Sequence, residues 1–157
     1  MFRVGLISDT HGLLRPQAVE FLRGSDHIIH AGDICDPLIL EQLASLAPLT
    51  AVRGNNDSGV LARELAEVEL VRIDEVSIYV IHDLAAMQVE PASVGASVVV
   101  SGHSHMPLVR ERSGVLFVNP GSAGRRRFKL PVSVAELRIH GKSISAQTVE
   151  LALENAA

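Results

Sequence analysis

Residues 4–11 read VGLISDTH, a short aliphatic run that ends abruptly in Ser8, Asp9, Thr10 and His11. An apolar run of this length reads as a buried strand, and the polar residues mark where it leaves the sheet. The same succession recurs four times. HIIHAG (27–32) precedes Asp33, LTAVRG (49–54) precedes Asn55, VSIYVI (76–81) precedes His82, and SVVVSG (97–102) precedes His103-Ser104-His105. In α/β sheets, ligands bind in the crevice beyond the carboxyl ends of the strands, so seven side chains scattered along the chain can converge there. Glycines at 12, 32, 54 and 102 flank four of the groups and let the backbone turn and approach closely.

Working outward, β-branched runs predict strands at Val4–Ser8, His27–His30, Leu49–Val52, Val76–Ile81, Val98–Ser101, Val115–Val118, Val132–Ile139 and Ser143–Leu151. Helical patterns cover Pro16–Leu22 and Pro37–Leu46, each with proline at a first-turn position, and Asp36 caps the second. Strand and helix alternate early and strands dominate later, which predicts a mixed α/β layered sandwich. The seven prolines are scattered and no repeat or low-complexity segment appears, so residues 1–157 are read as a single domain.

The composition narrows the function. A chain of 157 residues buries enough surface to fold without a metal or disulfide, so a metal site here calls for a chemical explanation. Aromatic residues make up 3% of the chain and the formal charge is −4, which argues against an extensive nucleic-acid surface built on stacked rings and basic residues. No apolar run approaches the roughly 18 residues of a membrane span. The start of the chain lacks signal-peptide character and Cys35 has no cysteine to pair with, so a soluble, cytoplasmic protein is expected. A mean hydropathy of +0.26 hints at a buried subunit contact, and so at a homo-oligomer.

The converging set holds two carboxylates, one amide and four imidazoles, with no thiolate. In extended segments the spacing of two would place Asp9 with His11, and His103 with His105, on one side about 6.5–7 Å apart. Seven nitrogen and oxygen donors exceed one tetrahedral zinc and suit two divalent ions about 3.5–4 Å apart. Two such ions bring four positive charges and two carboxylates return two, so the site favours an anion, and hydrolysis of a phosphoester uses it naturally. Manganese is the first expectation for oxygen and imidazole donors without sulfur, with iron, nickel and zinc also fitting.

The ordered set Asp9-x-His11, Gly32-Asp33, Gly54-Asn55-Asn56-Asp57, His82 and Gly102-His103-x-His105 resembles the calcineurin-like metallophosphoesterases. Asn119-Pro120-Gly121-Ser122 is similar to the small bacterial and archaeal phosphodiesterase branch. The resemblance implies a four-layer αββα sandwich of two mixed sheets flanked by helices. It also implies Asp9, His11 and His105 on one ion, Asn55, His82 and His103 on the other, and Asp33 bridging them. A hydroxide held between the ions would attack a small phosphodiester substrate. The rival readings are a phosphomonoesterase and a protein-interaction scaffold of the same fold, and the complete ligand set weighs against the scaffold.

Two positions depart from the family pattern. Asn56 stands where many relatives carry a histidine that assists the leaving group, so the rate should depend strongly on leaving-group pKa. Asp83 stands where relatives commonly have glycine, bringing a carboxylate near the second ion or a hydrogen bond to one of its ligands. Asp57 is expected to cap the segment after Ser58. His27, His30 and His140 read as ordinary hydrogen-bonded or exposed histidines, with His30 the one placed to brace the site from behind. In an extended stretch Arg125 and Arg127 share a side, so these two are the candidates for binding a substrate phosphate, with Arg53 a weaker third.

Overall fold

The computed structural model describes residues 1–127 and 129–153. Two five-stranded sheets stack face to face. The first has the order β10-β9-β1-β2-β3 and the second β4-β5-β6-β8-β7. Their strands are β1 (Phe2–Ile7), β2 (His27–His30), β3 (Leu49–Ala51), β4 (Val68–Ile73), β5 (Val76–Ile81), β6 (Ala96–Val100), β7 (Leu108–Arg112), β8 (Val115–Asn119), β9 (Ser133–His140) and β10 (Ser143–Glu150). Within the first sheet β1, β2 and β3 are parallel, and within the second β5, β6 and β8 are parallel. The remaining strands pair antiparallel at the edges, giving two mixed sheets.

Alternation along each strand builds three apolar layers. Val4, Leu6, Ile29, Ile78, Val80, Val98, Val100, Val118, Leu137 and Ile139 meet between the sheets. The opposite face of the first sheet, with Ile7, Ile28 and Val134, is covered by α1 (Pro16–Leu22), α2 (Pro37–Ala44) and α3 (Val60–Glu64) through Leu22, Ile39, Leu43 and Leu61. Because both faces of β1, β2, β5 and β6 are buried, they read as continuous apolar runs rather than as strict alternation. Among the described residues, the outer face of the second sheet, with Tyr79, Ile81 and Val99, is overlaid by no regular element longer than the short 3₁₀ turns at Leu84–Ala86 and Pro91–Val94. The fourth layer is therefore much thinner than the helical layer on the first sheet.

The expected strands and helices are all present. Pro37–Leu46 is shorter than expected, closing at Ala44 with Ser45 as its last capping residue, and Asp36 accepts from Leu38 N–H as a side-chain cap. Two strands escaped the sequence reading. In β4 only Ile73 is buried, and all five residues of β7 are exposed, so neither edge strand carries the apolar signature by which a strand is recognised. No helix among the described residues is long and apolar enough to cross a membrane.

The register sets the site. Ile7 pairs with His30 and His30 with Ala51, so the carboxyl ends of β1, β2 and β3 finish level. Val80 pairs with Val100 and Val100 with Val118, which does the same for β5, β6 and β8. Every segment after these ends opens on one rim.

Candidate metal centre

The chain leaves β1 at Ser8, and the loop that follows stays tied to the loop after β2. Asp9 N–H donates to Gly32 O, His11 N–H to Asp33 O and Gly12 N–H to Ile34 O. This backbone is not extended. Asp9, His11, Asp33, His103 and His105 all have positive φ, from 46° to 71°. The expectation that Asp9/His11 and His103/His105 project side by side from extended segments is therefore corrected, since a left-handed residue turns its neighbours in different directions. Non-glycine residues in this region are strained by about 1–2 kcal/mol each, a cost that clusters where a fixed geometry is needed.

Asp9 is fully buried and its two carboxylate oxygens differ. Oδ2 accepts from Ser8 Oγ (2.7 Å) and His103 N–H (3.1 Å). Oδ1 has no hydrogen-bond partner, yet it faces Nε2 of His105 at 3.3 Å, of His11 at 3.7 Å and of His82 at 3.9 Å. A buried carboxylate oxygen without a partner costs free energy unless something positive meets it. His11 Nε2 and His105 Nε2 are 3.4 Å apart, a close approach of two ring nitrogens that a shared cation relieves. Asp9 Oδ1 and His105 Nδ1 are the buried side-chain polar atoms left without a partner among the described residues, and both belong to this cluster.

Asp33 faces the same space. Its oxygens accept from Asn56 N–H (2.8 Å) and Asn56 Nδ2 (2.9 Å), and Oδ2 lies 3.3 Å from His82 Nε2 and 3.7 Å from His11 Nε2. His82 Nδ1 donates to Ala31 O at 2.7 Å, which leaves the Nε2 lone pair turned toward Asp33 and Asn55. Asn55 Oδ1 completes the ring, 3.1 Å from His82 Nε2 and 3.2 Å from His103 Nδ1. Asp9, His11 and His105 form one compact donor group and Asp9, Asp33 and His82 another, with Asn55 and His103 attached through His82. All seven candidate ligands thus meet, and the donor set supports divalent-metal binding.

Charge follows geometry. Burial alone would raise the Asp33 carboxyl, but contacts from His82 and Asn56 outweigh it and hold the group well below the usual carboxylate range. Asp9 is lowered despite the same burial, through His105, Ser8 and the charge of His82. His82 is raised, because Asp33 and Asp9 overcome the burial that opposes its charging. Two anionic carboxylates among imidazoles form a site prepared for cations.

The supporting residues were only partly foreseen. Asp57 does not cap the following segment, since α3 is preceded by Gly59 with no side-chain cap. Instead its buried carboxylate accepts from four backbone N–H groups: Asp33 (3.0 Å), Ile34 (2.9 Å), Cys35 (2.8 Å) and Gly54 (2.8 Å). Three consecutive amides around one anion make a nest, which holds the left-handed Asp33 and Cys35 in place. Gly32 is needed here, because at φ +103° an added Cβ would lie 2.7 Å from His82 Nδ1. His30 is fully buried behind the site. Its Nδ1 accepts from Gly32 N–H and its Nε2 contacts Thr10 Oγ1, so it braces both ligand-bearing loops, and burial pushes its pKa down to about 4.

Ser122 Oγ donates to Asp9 O and Asn119 Nδ2 to Gly102 O, so the turn after β8 closes the rim by hydrogen bonding. The sequence offered no signal for Ser8 or Thr10 beyond their positions beside a strand end, whereas Ser122 belongs to the Asn119–Ser122 stretch that the resemblance had already singled out. Cys35 Sγ is 3.8 Å from His11 Nδ1, and burial with the charges of Asp57, Asp33 and Asp9 pushes its pKa up to about 11, so the thiol stays protonated. Asp83 Oδ1 accepts from Ala85 N–H while its Oδ2 lies 3.8 Å from His103 Nε2.

The arginines fare differently from expectation. Arg53 is committed to structure, donating to Ala62 O and Leu65 O at the end of α3, with Glu67 at 3.5 Å. Arg125 and Arg127 are exposed, and the chain bends at Gly124 and Arg125 rather than running extended, so the shared side inferred from strand geometry does not hold. Gly124 packs against the Asp9–Thr10 backbone, which keeps the start of this segment beside the site.

Residues 2–142 match the family model of the calcineurin-like phosphoesterase superfamily domain. The chain belongs to that superfamily. It is 36% identical to a probable metallophosphoesterase of Methanothermobacter thermautotrophicus, over 93% of this chain and 91% of the relative. A phosphodiesterase of Methanocaldococcus jannaschii is 27% identical over 76% of this chain and 82% of its own length. Among solved structures, Vps29 of Chaetomium thermophilum superposes with a TM-score of 0.78 at 19% identity, covering 95% of this chain and 97% of that one, a likeness of fold. Membership supports a metal-binding hydrolase of the phosphoesterase class.

Proposed function

We propose that the protein is a phosphodiesterase dependent on two divalent ions, with manganese the first choice, acting on small phosphodiesters. The observation that carries this is the pair of half-anchored carboxylates. Ser8 and the His103 amide fix Asp9 while its Oδ1 stands open to three imidazoles, and Asn56 fixes Asp33 between His82 and His11. When bound, the ions supply a hydroxide nucleophile near neutral pH and neutralise charge on the phosphoryl group.

The chain's own residues do the positioning. Asp9, His11 and His105 would hold one ion and Asn55, His82 and His103 the other, with Asp33 shared by both. Ala31 O orients His82, and Asn56 aligns the Asp33 carboxylate. Arg125 and Arg127, exposed on the segment that Gly124 keeps beside the site, are the proposed partners for phosphate oxygens. Two carboxylates against two dications leave +2, and a hydroxide held with them would bring this to +1, which suits a singly charged diester over a doubly charged monoester.

The scaffold alternative rests on the likeness to Vps29, which reaches the fold alone. The direct test is hydrolysis of bis(4-nitrophenyl) phosphate by protein stripped with chelator and reloaded with manganese. Activity should return with the metal, and Asp33→Asn should lose more than the roughly 10–100-fold that residues outside the ligand shell are worth. Folded Asp33→Asn protein hydrolysing at the full rate would refute the assignment.

A further inference from the structure

A cavity of about 170 Å³ opens beside His103, walled by Leu84, Met106, Leu108, Phe117 and Asn119, with Asp83 also lining it. Three of the chain's exposed large apolar side chains, Leu84 (40%), Met106 (55%) and Leu108 (45%), come from separate segments and line this one opening. Exposed apolar side chains gathered at a cavity that shares a wall with a reactive site mark a place for a ligand group.

The side chains of Asn119 and Ser104 in the walls are already engaged. Asn119 Nδ2 donates to Gly102 O (3.0 Å) and Ser104 Oγ (3.1 Å), Asn119 Oδ1 accepts from Gly121 N–H, and Ser104 Oγ accepts from Met106 N–H. Asp83 is different. Its Oδ1 is engaged with Ala85 N–H, while Oδ2 lies 3.8 Å from His103 Nε2, beyond hydrogen-bond distance, and remains an acceptor in the lining.

The geometry points to this slot as the subsite for one ester group of the substrate, a flat nitrogen heteroaromatic ring bearing an N–H donor, such as an aminopurine. An aliphatic group would fill the apolar walls and leave the Asp83 acceptor unmatched. A sugar would match the acceptor and waste the walls. A ring with apolar faces and an amine on its edge satisfies both. The size admits one ring system rather than a whole dinucleotide. The inference rests on the phosphodiesterase reading for the identity of the group, and it places the remainder of that substrate at the metal cluster through the shared His103 wall.

The test separates the two readings. Adenosine and purine riboside, which share the ring and differ by the 6-amino group, are titrated into the protein while methyl NMR signals of Leu84, Met106 and Leu108 are followed. Both should shift these methyls, adenosine several-fold more tightly, and the preference should vanish in Asp83→Asn, which keeps the Ala85 cap and turns a donor toward the amine. Methyls that do not move, or equal affinity for both nucleosides, would overturn the subsite. In parallel, kcat/KM for adenosine 5′-(4-nitrophenyl) phosphate should exceed that for methyl 4-nitrophenyl phosphate by roughly tenfold or more, and Leu108→Asn should shrink that ratio. A ratio near one, or one that Leu108→Asn leaves intact, also overturns the subsite. Absence of hydrolysis with both esters overturns the phosphodiesterase reading instead, while the nucleoside titration decides the slot.

Discussion

Changing Asp57 to Asn should cost both stability and metal affinity although Asp57 touches no candidate ion. The carboxylate is buried and receives Asp33 and Gly54 N–H on Oδ2, and Ile34 and Cys35 N–H on Oδ1. An asparagine keeping its oxygen on Ile34 and Cys35 would point its amide at the other two donors, leaving two buried N–H groups unpaired at about 1–3 kcal/mol each. The two surviving bonds lose their charge assistance as well. The total is about 3–5 kcal/mol, and with a urea slope of about 2 kcal/mol per molar the midpoint should fall by about 2 M. The left-handed Asp33 and Cys35 then lose the nest that holds them, so manganese affinity measured by calorimetry should drop about 10–100-fold. A midpoint within about 0.3 M of wild type, together with unchanged manganese affinity, would refute the reasoning.

His30 makes stability depend on pH. Buried and neutral, it takes its proton near pH 4 in the folded chain and near the ordinary value of about 6.5 in the unfolded one. The unfolded state binds more protons between these values, so stability falls as pH falls from about 6.5 toward 4. Metal-free protein should lose about 2–3 kcal/mol from this group by pH 4.5, and in urea titrations the stability lost between pH 7 and 4.5 should be smaller by that amount in His30→Gln than in wild type. Asn56 donates its backbone N–H and one Nδ2 hydrogen to Asp33, and its carboxamide carries no proton acidic enough to protonate a departing alkoxide. Alkyl diesters should therefore forfeit about 10²–10⁴ in rate that a general acid would supply, while aryl diesters with acidic phenols are spared; a rate series flat across phenol pKa would contradict this.

The sequence disclosed what depends on strong local patterns. Parallel strands buried on both faces gave unbroken runs such as Ser97–Val100 and Val76–Ile81, and each ligand stood just beyond such a run. Edge strands β4 and β7 were invisible because partly or wholly solvated strands need no apolar face. The left-handed turns at Asp9, His11, Asp33, His103 and His105 were also hidden, since glycine marks such backbone by composition and aspartate or histidine does not. Asp57 was misassigned because a carboxylate before a helix looks like a cap, and only its distance to the Asp33 loop shows where its lone pairs go. Arg125 and Arg127 depended on an extended backbone that the bend at Gly124 and Arg125 removes.

The central claim is that two cations occupy the space between Asp9, Asp33 and their surrounding imidazoles. Anomalous diffraction from manganese-loaded crystals tests it directly. Two peaks about 3.5–4 Å apart should appear, with Asp33 touching both, His11 and His105 on one side and Asn55, His82 and His103 on the other. A single peak, or peaks bound elsewhere on the surface with Asp9 Oδ1 still unmatched, would contradict the account.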